Sequence, residues 1–171
     1  MANTYEFIAS QTIGAGGTTN INFNSIPSTY TDIILKLSLR SDTSGTSRGL
    51  NLTFNNDTGS NYSNKNSYEY SGGVASTTSV GGTSRGVGLI GGSSYSSNIF
   101  TSLNFYITNY AGSLAKTVGV EFATVNNSTT QYAGYYCGLW NSSSAISSIQ
   151  LLGSAGFVQD STAYLYGIKD S

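Results

Sequence analysis

The chain has 171 residues, seven Lys/Arg, eight Asp/Glu and no His, for a net charge of −1. Charged residues make up 9% of it, against about 25% in an average globular protein. With no His and one Cys, it has no Ser-His-Asp or Cys-His nucleophile pair, no His or four-Cys metal site and no intrachain disulfide. Low charge signals disorder only when apolar content is also low. Apolar residues are 38% and aromatics 12%, enough for one domain with a sizeable core.

In chain order, the apolar residues alternate in short pieces. Tyr5, Phe7 and Ala9 alternate with Glu6 and Ser10, and Thr19–Phe23 repeats the pattern. Pro27, the single proline, falls between strands, where its missing N–H costs no ladder bond. Ile33, Leu35, Leu37 and Leu39 mark the strongest strand, followed by Leu50–Phe54. The cluster Asn55-Asn56-Asp57-Thr58-Gly59 predicts a turn, with Gly59 supplying positive φ. Residues 66–71 read as an edge strand and 72–84 as a long surface loop. Further strands are expected at 86–90, 99–110, 117–123, 131–140 and 162–168. Residues 145–152 also fit a helical spacing, but a Ser-rich stretch without caps favours strand. About nine to eleven short strands with frequent turns and no convincing helix predict an all-β fold. We expect one domain over 1–171, a single jelly-roll-like antiparallel β-sandwich.

Chemistry candidates are few. Glu6, Glu69 and Glu121 sit on different predicted strands, face solvent and are paired by no motif, which disfavours a glycosidase. Asp57 resembles a calcium ligand only in type; its spacing fits no calcium loop, and a turn hydrogen bond accounts for it better. Gly14-Ala15-Gly16-Gly17 lacks the following Lys-Ser/Thr and helix of a phosphate loop. Cys137 has apolar neighbours and no activating base, so a buried small hydrophobe is expected. No catalytic residue, cofactor or metal is expected. A surface of Ser, Thr and Asn offers little to nucleic acid, and no apolar run approaches a membrane span. The start predicts no signal peptide, so the Asn-x-Ser/Thr triplets at Asn51, Asn56, Asn61, Asn126, Asn127 and Asn141 read as chance in an Asn/Ser/Thr-rich chain.

Thirteen tyrosines serve sheet packing first, then protein interfaces and glycan contact. A long, uncharged edge strand invites pairing with another chain. Few charges are available to blunt such edges, which favours an assembled structural protein.

The segments Thr4–Ile13, Ile21–Ile33, Leu52–Ser63, Gly138–Ser142 and Tyr164–Lys169, most specifically Asn24-Ser25-Ile26-Pro27-Ser28-Thr29-Tyr30-Thr31-Asp32 and Leu165-Tyr166-Gly167-Ile168-Lys169, resemble a family of small β-rich structural proteins of tailed bacteriophages. The resemblance runs over nearly the whole chain. It implies a jelly-roll-like virion protein, made in the host bacterial cytoplasm and carried on the particle surface. It implies either a capsid decoration (cement) protein or part of a fibre or spike. A short single domain without a shaft or docking segment places decoration first. The partner would then be the major capsid protein, and trimers would match capsid symmetry and add avidity. The alternative is a receptor- or glycan-binding head- or tail-fibre module. Its contact surface would be Tyr62, Tyr68 and Tyr70 with the 72–84 loop.

Overall fold

A computed structural model describes residues 4–125 and 131–169. The strands are β1 (Tyr5–Thr12), β2 (Thr18–Phe23), β3 (Asp32–Leu39), β4 (Ser47–Phe54), β5 (Tyr62–Tyr70) and β6 (Gly73–Gly82), then β7 (Arg85–Gly91), β8 (Thr101–Ile107), β9 (Lys116–Thr124), β10 (Tyr132–Trp140), β11 (Ile149–Phe157) and β12 (Thr162–Ile168). No helix forms among the described residues. The strands make two antiparallel sheets. The large one has the order β1-β12-β3-β8-β9-β10-β5-β6, and the small one β2-β11-β4-β7. The fold is the expected jelly-roll-like β-sandwich.

Alternation builds the core. Leu103, Phe105 and Ile107 of β8 and Val118, Val120 and Phe122 of β9 point inward with Ile33, Leu35, Leu37 and Leu39. Ile21, Phe23, Leu50, Leu52, Phe54, Ile149 and Leu151 come to meet them from the small sheet. Successive side chains point to opposite faces, so the intervening residues form the outer face of the large sheet.

Two cations are folded into the interior. Arg85, at the start of β7, is fully buried and donates to the carbonyls of Ser63 and Cys137 in the large sheet. Burial lowers its pKa to about 10. Its guanidinium occupies the space where a Cβ on Gly138 would stand. Lys116 donates to the carbonyls of Gly112 and Leu114 and lies 6.0 Å from the Trp140 ring centroid.

Three expectations need correction. Residues 72–84 hold a strand, β6, and the strand at 66–71 is an interior one, β5, whose edge β6 covers. β6 is exposed at nearly every position, so it has no buried face to impose a period of two on its residues. Gly59 is not in the left-handed region; Asn55 (φ 52°) and Asn56 (φ 54°) make that turn. Near the C-terminus, the expected strand forms but runs from Ile149 to Phe157.

Gly138→Ala sets a methyl against the confined Arg85 guanidinium. We expect a loss of about 2 kcal/mol from overpacking, read as a fall in Tm of roughly 4–8 °C. Gly119→Ala, where a Cβ meets nothing within 4 Å, serves as the control and leaves the thermal melt unchanged.

Candidate functional site

The three tyrosines singled out in the sequence do not form one surface. All three point to the inward side of β5, because Tyr62, Tyr68 and Tyr70 are spaced by even numbers. Tyr62 is 1% exposed, stacked on Phe54 and Trp140, and its hydroxyl accepts from the Phe54 N–H. Burial pushes its pKa up to about 12. Tyr68 is half-buried and stacks on Tyr136. Tyr70 leans against Tyr68 and is exposed, at the end of the strand that the small sheet leaves open. Tyr62 is therefore core, and the pair Tyr68 and Tyr70 carries what remains of the expected contact surface.

Asp57 is a structural acceptor. Its carboxylate receives the Trp140 indole N–H at 2.7 Å, the Gly59 N–H at 2.8 Å and the Asn61 amide at 2.9 Å. These donors, Trp140 first, hold its pKa below the usual value of 3.8. Three N–H groups aimed at one carboxylate suit an anion held in place better than a cation ligand. Among the described residues, no group of three or more His, Cys, Asp or Glu could hold a metal ion.

Cys137 is exposed, which corrects the expectation of a buried thiol. Tyr136 and Trp140 face the core, and alternation turns Cys137 outward. The carboxylates Glu69 and Glu121 are exposed as expected, and Glu6 pairs with Lys169 at 2.8 Å. Asn126 and Asn127 lie outside the described residues.

The feature that the sequence reading missed is the outer face of the large sheet. Strand register lines up Tyr164, Lys36, Asn104, Glu121 and Tyr135 across five strands. The adjoining row is Phe7, Tyr166, Ile34, Tyr106, Gly119 and Cys137. A depression of about 400 Å³ opens where these rows meet, floored by Ile34 and Gly119 and edged by Tyr106 and Tyr135. Asn104 donates to Glu121 at 3.0 Å. The Tyr106 hydroxyl donates to Asp32, which raises its pKa to about 12 and fixes the ring. Alternation marks these residues as outward-facing, but only the pairing of β3, β8, β9 and β10 makes them neighbours.

No family model matches the chain, and no curated protein matches it. Among solved structures, the galectin LEC-6 of Caenorhabditis elegans is similar over 94% of this chain and 96% of that one, at 12% identity and a TM-score of 0.38. A likeness of that strength carries nothing about ligand or site.

Asp57 gives a pH prediction. Its depressed folded pKa contributes stability that is fully present above the unfolded value near 4 and is lost as pH falls through the lower folded value. Asp57→Asn should lower unfolding stability at pH 7 by about 1 kcal/mol, a charged hydrogen bond discounted for partial exposure. Urea titrations from pH 7 down to about pH 2 check this; the gap between the two proteins closes below about pH 4. A gap that stays constant with pH counts against the anion.

Proposed function

We propose that this chain is a non-enzymatic structural protein of a tailed-phage virion, a decoration protein seated as a trimer on the outside of the head. The observation that carries this reading is β6. It is ten residues long, contains no charge and no proline, and is exposed on both faces and along its free edge. Val74 and Val80 stand 68% and 79% exposed on it. A long uncharged edge is a template for pairing with another chain, and proteins that stay monomeric blunt such edges with Lys, Pro or bulges. The opposite edge, β1, carries a bulge between Phe7 and Ala9 and the Glu6–Lys169 ion pair; β6 is irregular only at its end, between Ser79 and Gly82, so that Gly73 to Thr78 forms its regular open edge. A closed ring needs a second, different surface on each subunit to receive that edge. The resemblance of the Asn24–Asp32 and Leu165–Lys169 segments to phage structural proteins supports the virion setting. A protein that binds the assembled shell better than free subunits stabilises the shell by mass action.

The test is the urea and heat stability of virions with and without this protein. Particles lacking it should come apart at lower temperature, and added wild-type protein should restore them. Val74→Lys, a charge on the regular part of the open edge and opposite Glu69 of β5, should fold normally and fail to restore stability. Equal stability of particles with and without the protein would contradict a cement role.

A further inference from the structure

We infer that the depression on the outer face of the large sheet binds an uncharged sugar unit, a monosaccharide or disaccharide of a surface glycan, between Tyr106 and Tyr135. The inference does not depend on shell attachment and places the contact on a different side of the sheet from Tyr68 and Tyr70.

The chemistry follows from the two adjoining rows. A pyranose ring has an apolar C–H face and a rim of hydroxyls, and it needs a surface of the same two-sided character. Ile34 and Gly119 give an apolar floor. A Cβ at Gly119 would meet nothing within 4 Å, so the floor is open space in front of the backbone. Tyr106 and Tyr135 stand 42% and 66% exposed at its margins. Tyr rings present a large apolar face and a polar tip, with few torsions to immobilise on binding. The Tyr106 ring is held in advance by its bond to Asp32.

Polar groups converge on the same hollow. Lys36 is exposed and makes no ion pair among the described residues. Among the described residues, Glu121 accepts from Asn104 through Oε1 alone. Together they offer an ammonium donor, a carboxylate acceptor and an amide for sugar hydroxyls. A volume of about 400 Å³ falls at the small end of ligand clefts, ~300–1,000 Å³, and suits one or two sugar rings. Lys36 and Glu121 balance one another, which disfavours a phosphate backbone; such a ligand requires clustered Lys and Arg. A flat protein partner would leave the hollow over Gly119 unfilled.

The experiment is saturation-transfer NMR on the purified full chain. The probes are glucose, galactose, mannose, N-acetylglucosamine, lactose and maltose, each up to about 10 mM, the range of weak single-site affinities. At least one sugar should receive saturation. Tyr135→Ala, an exposed truncation, should weaken its binding at least tenfold. Gly119→Leu should abolish binding by filling the floor, while its circular dichroism melt confirms the fold. That sugar should also slow alkylation of Cys137, the neighbour of Gly119 across β9 and β10. No saturation of any sugar overturns the inference, and so does binding unchanged in both variants. A native mass that falls in Tyr135→Ala, with no sugar bound by the wild type, would assign the face to a second copy instead. Sugar binding without shell stabilisation would leave this inference standing and remove the decoration reading; shell stabilisation without sugar binding would do the reverse.

Discussion

Four strands cannot cover eight, and that mismatch in sheet width governs this molecule. The small sheet lies against the middle of the large one, with β7 opposite β8, β9, β10 and β5. Beneath it, side chains from both sheets interdigitate into one core of Leu, Ile, Val and Phe. Beyond it, the same strands continue with nothing across from them. Tyr62 and Tyr70 show the boundary on a single strand: both point inward, yet one is core and the other is exposed. β6 lies wholly past the boundary and is open on both faces. The uncovered ribbon and the bare outer face are consequences of the sandwich, and they are where this protein has surface to offer.

Charge is distributed to the same effect. Of seven Lys/Arg, Arg85 and Lys116 are buried with backbone carbonyls as their acceptors. Those carbonyls meet most of the buried donors, though Arg85 Nε finds no acceptor among the described residues. Arg85 also ties the sheets together, reaching from β7 to carbonyls of β5 and β10 through the gap that Gly138 leaves. The Lys169 ammonium lies at 5.5 Å from the Tyr30 ring centroid and bonds Glu6. The rest of the surface is rich in uncharged hydroxyls and amides, with only a few charges spread among them.

Much of the sandwich was legible because its central strands are half-buried. Thr101–Ile107 alternates buried and exposed without a break, and Ile33–Leu39 does so apart from Ile34, since one face of each meets the core. The segments Asn24–Asp32 and Leu165–Lys169 meet in space. Tyr30 lies so close over Gly167 that any Cβ there would collide with its ring. Ile168 accepts from the Thr31 N–H. Asp32 receives the Tyr106 hydroxyl and the Asn109 N–H, and Pro27 accepts from Tyr110. Those motifs are thus packing rules at one end of the sheet. β6 was illegible because a strand exposed on both faces has no alternation to read. Cys137 was misread because its neighbours in sequence are apolar while its neighbours across the sheet, Gly119 and Lys65, are not. The outer-face depression gathers residues from β3, β8, β9 and β10, and linear sequence does not state which strands pair.

The claim that the uncovered surface is an assembly surface is tested most directly by the native mass of the purified protein, measured by light scattering over a range of concentrations. The account predicts a trimer, three times the 17.9 kDa chain, that persists on dilution. A mass of 17.9 kDa at every concentration would contradict it, because the open edge of β6 would then be left unpaired in solution without consequence.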